Sequence, residues 1–234
     1  MQISPDQIIF WKSGFVTLNA TIVFTWVTMA ILVCTSLFVT RNLSSTNEIS
    51  RLQNLLEVLV SGIRDQVRDV CQQDPTPFVP FVGTLFLFIA TANLLAIVPG
   101  YHTPTSSLST TAALATCVLC AVPMFGVARC GFRGYISQYL QPSIVMLPFN
   151  VIGELSRTLA LAVRLYGNMM SGTVIAAVLL AFVPLFVPIA MQLLGLLTGM
   201  IQAYIFAILA MVYIASATRV QHRSASANHL GIKT

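Results

Sequence analysis

SIVMLPFNVIGELSRTLALAVRLYGNMMSGTVIAAVLLAFV, residues 143–183, is the stretch on which the reading of this chain turns. It is apolar almost throughout. As one continuous helix it would extend about 60 Å at 1.5 Å per residue. The hydrocarbon core of a bilayer is roughly 30 Å thick, so such a helix must bend or tilt strongly to stay within it. Three charges interrupt the tract: Glu154, Arg157 and Arg164. Glu154 and Arg157 are three residues apart, neighbours on one helix face, and can pair. Both lie near one end, where Arg157 can extend toward the interface. Arg164 has no such exit. An arginine at the centre of a spanning helix costs about 2.5–3.5 kcal/mol to insert, and no acid inside a span lies within four residues of it.

The rest of the chain confirms the medium. Of 234 residues, 56% are hydrophobic and 8% charged, against about 25% charged in a typical soluble domain. Apolar runs cover Phe15–Val39, Phe78–Val98, Leu108–Ala128, Ser143–Val183 and Ile189–Ala217. The expectation is an all-α integral membrane protein with five crossings. The first run is 25 residues long, too long for a signal-peptide core of about 7–15, and is expected to remain as a spanning helix. Between the first two runs, Asn47–Gln73 alternates charges with Ile49, Leu52, Leu56, Leu59, Ile63 and Val67 at steps of three and four. That pattern predicts an amphipathic helix lying on the membrane or against a partner helix. DPTPFVP, residues 74–80, ends it. PLFVP, residues 184–188, reads as the turn between the last two helices.

Basic residues alternate from side to side. Arg41, Arg51, Arg64 and Arg68 follow the first run; Arg129 and Arg133 follow the third; Arg219, Arg223 and Lys233 follow the last. The two intervening connections carry none, and Lys12 is the exception. Positively charged loops stay in the cytoplasm, so the N-terminus is expected outside and the C-terminus inside. The net charge of +5 reflects this orientation; no basic run with interleaved aromatics marks nucleic-acid binding. Cys117 and Cys120 form a C-x-x-C within an apolar run, with no second pair or nearby His to complete a metal site. There is no phosphate-cradling glycine loop, zinc-protease motif or catalytic triad set, and no internal repeat of the kind found in many secondary transporters. No cofactor is expected.

Polar residues near the arginine narrow the question. Asn168 lies one turn beyond Arg164. On the last helix Gly195, Gly199, Ala203 and Ala207 repeat every four residues, a ladder that allows close backbone approach in membranes. Gln202 sits deep in that helix and could hydrogen-bond to the arginine helix. From these residues alone, three readings stay open. One is a small stand-alone transporter or channel using Glu154, Arg157 and Arg164. Another is a purely structural membrane subunit. The third is a subunit whose counter-charge for Arg164 comes from another chain.

LAVRLYGNMMSG (161–172) and LGLLTGMIQAYIFAILAMVYI (194–214) resemble the arginine helix and last helix of the a subunit of rotary F-type ATP synthases. YLQPSIVMLPFNVIGELSRTLALAVRLYGN (139–168) follows that family's order of Gln-Pro, Leu-Pro, acidic helix start and arginine core. TPTSSLSTTAALA (103–115) is similar to its polar approach to the fourth helix. The resemblance covers residues 78–217, and the chain's opening is similar to the N-type branch. It implies an ion-conducting stator that works against a ring of c subunits, with b-type stator subunits and the rest of the synthase as partners, in a bacterial inner membrane. Arg164 then matches the arginine facing the ring, Asn168 the polar residue one turn along, Gln202 the glutamine opposite, and Glu154 the acidic patch at the start of the arginine helix. The chain departs from the family where many relatives carry an acid or His, having Thr173 and Gly195, and where some carry Asp, having Ser107. Ser107, Thr173, Gln192, Asn93 and His102 are the polar residues left to line the outer access route, and the coupling ion is H⁺ or Na⁺.

Overall fold

The computed structural model describes residues 9–13, 16–41, 51–71, 76–98, 101, 103–140, 146–182 and 187–218. Six helices carry the fold: α1 (Ala20–Arg41), α2 (Arg51–Cys71), α3 (Val79–Leu94), α4 (Leu108–Leu140), α5 (Met146–Phe182) and α6 (Val187–Thr218). Five of them, all but α2, are long and apolar enough to cross a membrane. Their apolar centres coincide with the five runs of the sequence. Most of the PLFVP turn, the loop holding His102, and the tail with Arg219, Arg223 and Lys233 lie outside the described residues.

Two boundaries differ from the hydropathy reading. The first apolar run begins at Phe15, but α1 begins at Ala20. Before it, Ile9–Ser13 (β1) pairs antiparallel with Val16–Asn19 (β2), with Trp11 opposite Leu18 and Ser13 opposite Val16. Val16, Thr17 and Leu18 continue the apolar run, yet β-branched residues suit an extended pleat as well as a helix, so hydropathy alone does not separate them. At the other boundary, α4 runs on to Leu140 through the stretch expected as a loop from Arg129. Gly131 interrupts it at φ 72°, ψ 159°, a conformation open essentially to glycine. The backbone therefore breaks direction there and resumes as helix.

Local signals explain the remaining ends. Pro80 stands in the first turn of α3, where its missing N–H leaves no bond unmade. A 3-10 turn, Leu95–Ile97, closes α3, and another, Pro104–Ser106, precedes α4. Ser107 is extended, with ψ 135°, and its carbonyl accepts from Thr111 N at 3.2 Å. It is thus the residue at which α4 starts, a position serine favours.

The helices enclose two adjoining cores. In one, Val67 of α2 clusters with Phe78 just before α3, Val82 of α3, Val122 of α4, and Met211 and Ile214 of α6. The second joins Ile89 of α3, Val118 of α4, Leu161 and Leu165 of α5, and Ala203 and Phe206 of α6. The small-residue ladder points into this interior: Gly199, Ala203 and Ala207 are buried, while Gly195 at its end is exposed. α1 packs peripherally, on α3 and the turn before α4. Thr28 on α1 shares a 2.7 Å hydrogen bond with the Tyr101 hydroxyl, and Phe24 meets the same ring edge-on at 5.0 Å. α5 has 37 residues and α6 has 32, about 55 and 48 Å of helix at 1.5 Å per residue. Both exceed the bilayer's hydrocarbon thickness. Their outer flanks are strongly apolar: Leu159 and Val163 on α5, and Leu193 and Leu197 on α6, are each more than half exposed.

Candidate functional site

The site is built on the seam between α5 and α6. Leu161 and Leu165 turn inward from α5 and are fully buried. Arg164, between them in sequence, sits outside that line and is exposed. Its neighbours Leu159 and Val163 are exposed too, so the guanidinium shares a surface with aliphatic side chains. One turn on, the Asn168 Nδ2 donates to Gln202 Oε1 on α6 at 2.6 Å. Gln202 is 1% exposed. Its Nε2 is buried and meets no hydrogen-bond partner among the described residues. A buried donor without a partner costs about 1–3 kcal/mol, so this amide is not at its most stable packing.

Two cavities flank this level. One, of about 360 Å³, is lined by Asn93, Ile97, Thr103, Thr173, Gln192 and Gly195, among others. It brings together three of the polar residues expected along an access route, Asn93, Thr173 and Gln192, and adds Thr103. The positions at which the resemblance implied an acid or His, now Thr173 and Gly195, both line it. The other cavity, of about 340 Å³, is lined by Asn150, Glu154, Arg157 and Ser216 toward the opposite ends of α5 and α6. The Arg157 guanidinium lies 5.8 Å from the centre of the Tyr213 ring, a cation–π distance. Along α5 the nearest lining residues on either side of Arg164 are Met169 and Arg157. They stand about 8 and 10 Å away at 1.5 Å per residue.

A family model described as "ATP synthase A chain" matches residues 22–215, nearly the whole described chain. The chain belongs to the ATP synthase A chain family. Among curated relatives, "ATP synthase subunit a 2" of Acaryochloris marina is 61% identical over 223 residues, covering 95% of each chain. "ATP synthase subunit a" of Albidiferax ferrireducens is 58% identical, over 94% of this chain and 95% of its own. "ATP synthase subunit a 1" of Chlorobaculum parvum is 55% identical, over 97% of this chain and 100% of its own. With the family goes the multi-pass membrane location, which the five long apolar helices satisfy. Likeness at this level along nearly the full length leaves no room for a stand-alone transporter of another class.

Not every expected A-chain position falls in these cavities. Ser107 lines neither; it is buried at the start of α4, its hydroxyl 2.7 Å from that of Ser109. His102 lies outside the described residues. Conversely, the structure shows a contact that sequence reasoning did not find. The Asn93 Nδ2 donates to the Gly199 carbonyl at 2.8 Å, and its Oδ1 accepts from Thr105 Oγ1 at 3.1 Å. Gly199 was visible as a rung of the ladder, but no local pattern ties it to a residue 106 positions earlier.

Proposed function

We propose that this chain conducts ions as the stator subunit a of a rotary ATP synthase, with Arg164 as the fixed charge opposite a ring of c subunits. The observation that carries the reading is an exposed arginine at mid-helix, beside the half-buried Asn168–Gln202 bond, with a separate cavity on each side.

The chemistry follows from the charge. A ring carboxylate arriving at Arg164 meets a cation that does not deprotonate in proteins. At 4 Å and an effective dielectric of 20 the attraction is about 4 kcal/mol, equivalent to about three pH units of carboxylate affinity. The carboxylate therefore gives up its ion opposite Arg164 and takes up another after leaving it. Because the arginine cannot relay a proton, it separates the two routes and stops a direct leak. An ion enters through one cavity, loads a carboxylate, rides the ring, and leaves through the other. Each elementary charge so moved supplies about 2.3 kcal/mol per 100 mV.

By the distribution of Arg and Lys, the cavity with Thr173, Gln192 and Asn93 is the outer route. The one with Glu154 and Arg157 is the cytoplasmic route. The outer walls hold amides, hydroxyls and thioethers with no titratable side chain among the described lining residues, so ions reach Arg164 through hydrated space rather than along a carboxylate or His relay. Ser107 supports this route indirectly, by starting α4 beside it. The lengths of α5 and α6 suit a steep tilt along the curved side of the ring. The placement is a bacterial inner membrane with the N-terminus outside and the C-terminus inside, b-type subunits anchoring the stator to the catalytic sector. The N-type branch remains the reading of the chain's opening, and both H⁺ and Na⁺ fit these neutral walls.

The test is Arg164→Ala in the assembled complex. ATP-driven ion uptake into inverted vesicles is expected to vanish, while the subunit still inserts, since removing the charge lowers insertion cost by about 2.5–3.5 kcal/mol. Retained coupled uptake would sink the proposal.

A further inference from the structure

We infer that Gly195 is a specificity-determining residue of the outer route: the side chain it lacks leaves the clearance through which a cation passes within its water shell. The inference rests on the stator reading for the identity of the traffic, but the clearance itself can be measured without transport.

Gly195 lies inside α6 and lines the cavity with Thr173 and Gln192. Nothing in its packing calls for glycine. A Cβ built there meets no atom within 4 Å, and its backbone is not in the left-handed region. Gly199, one turn on, is the contrast: a Cβ there would stand 3.0 Å from the Cβ, Cγ and Nδ2 of Asn93. Gly199 admits a close neighbour, whereas Gly195 has none to admit. Glycine in a helix interior is less favourable than alanine, so position 195 gives up helix stability without gaining contact. What it gains is volume. The same holds on the α5 wall at Gly172, where an added Cβ also meets nothing within 4 Å, and Ala176 and Ala177 continue that wall. The cavity of about 360 Å³ is open because these residues do not reach into it.

The walls explain why volume matters. Hard cations bind about six oxygens. Among the described lining residues the polar side chains are Asn93, Thr103, Thr173 and Gln192. The Asn93 Oδ1 already accepts from Thr105. Thr173 Oγ1 donates its proton to the Met170 carbonyl at 2.8 Å, which leaves it as an acceptor only. Helix carbonyls are engaged in their own ladders. Too few oxygens remain to replace a hydration shell, so a cation keeps its water. At about 30 Å³ per water the cavity holds on the order of ten. A proton needs the same filling, since it passes walls without titratable groups along water. A branched side chain at 195 displaces part of that water and leaves the ion beside apolar Ile97 and Leu196 with an incomplete shell.

The experiment uses the assembled complex in right-side-out vesicles, with the five native cysteines replaced and Thr173→Cys as the reporter. Its reaction rate with the cationic reagent methanethiosulfonate ethylammonium is divided by its rate with neutral N-ethylmaleimide, which cancels changes in the thiol itself. Gly195→Leu is expected to lower that ratio at least about tenfold, a barrier rise of about 1.4 kcal/mol. Gly195→Ala, which adds one methyl, should lower it less than about twofold. ATP-driven uptake per assembled complex, measured in inverted vesicles with Thr173 intact, should fall in the same order. Where Gly195→Leu lowers abundance, Gly172→Leu, which adds the same bulk from the α5 wall, is read the same way. An unchanged ratio with leucine overturns the inference. So does an equal fall with alanine, which would be a backbone effect rather than one of volume. A cavity closed to the reagent with uptake intact overturns it as well, provided that Arg164→Ala abolishes uptake. Uptake surviving Arg164→Ala would instead mark failure of the stator reading, with the clearance result standing.

Discussion

Replacing Gln202 by leucine separates what the α5–α6 seam does for stability from what it does for transport. The side chains are similar in volume, so the change leaves packing nearly intact. It removes the 2.6 Å bond from Asn168, and interhelical bonds of this kind contribute about 0.6 kcal/mol on average and at most about 1.7. It also removes the Nε2 donor that is buried without a partner, relieving about 1–3 kcal/mol. Asn168 is exposed, so losing its acceptor does not strand it in an apolar site. The balance ranges from about 0.7 kcal/mol against the variant to about 2.4 kcal/mol in its favour. For a chain of this size 1 kcal/mol corresponds to about 2–4 °C in Tm. The purified complex carrying Gln202→Leu should therefore denature no more than about 3 °C lower, and up to several degrees higher. ATP-driven ion uptake per assembled complex should nevertheless fall roughly tenfold, because a favourable packing choice has been passed over for the sake of the polar seam. A Tm drop of several degrees with uptake intact would refute the reasoning, since Gln202 would then be a packing residue and nothing more.

Cysteine introduced at Thr173 or Gln192 should react with small water-soluble thiol reagents. The native Cys117 and Cys120, exposed on the apolar surface of α4, should not, because a water-soluble reagent does not enter the hydrocarbon that surface faces; alkylation mapped by mass spectrometry decides it. Burial pushes the Tyr101 phenol above the ordinary tyrosine range, against the opposing effect of its Thr28 bond. The neutral form is thus favoured on folding, and its contribution is present below about pH 10 and lost as pH rises through the raised value. Tyr101→Phe should lower stability by about 0.5–1.5 kcal/mol at neutral pH and blunt that alkaline fall, as read from Tm against pH. Gly131→Ala forces a Cβ into a glycine conformation at φ 72° and should destabilise by about 1–3 kcal/mol, measured by the same melting assay.

Much of the helical plan was readable because the bilayer imposes one length and one polarity rule. Five apolar runs became five long helices, and the three- and four-residue spacing around Ile63 and Val67 became α2, with Val67 buried against α6. Hydropathy failed where it carries no shape. Val16, Thr17 and Leu18 continue the apolar run of the helix after them yet are extended, and the stretch after Arg129 stays helical beyond Gly131 despite its polar residues. At the site, Arg164 announced itself through its insertion cost, and Asn168 and Gln202 through depth and spacing. The Asn93–Gly199 contact could not be read, because α3 and α6 meet by tertiary packing that no periodicity records. Ser107 illustrates the reverse: a hydroxyl in a suggestive place whose surroundings are those of a helix start.

The Tyr204 hydroxyl donates to Gln66 Oε1 at 2.9 Å, two residues from Gln202, and Val67 of α2 is buried against α6 just beyond it. On the proposed stator reading, a rotor turning past Arg164 would push sideways on the helices that face it, and a stator that yielded would waste the stroke. α6 is braced from behind at successive heights, by α3 through Asn93, by α4 through Val122, and by α2 through Gln66 and Val67. The amphipathic helix is thus more than a float on the membrane surface. On that reading it would act as a buttress, its stiffness setting how much of each ion's passage became torque rather than recoil.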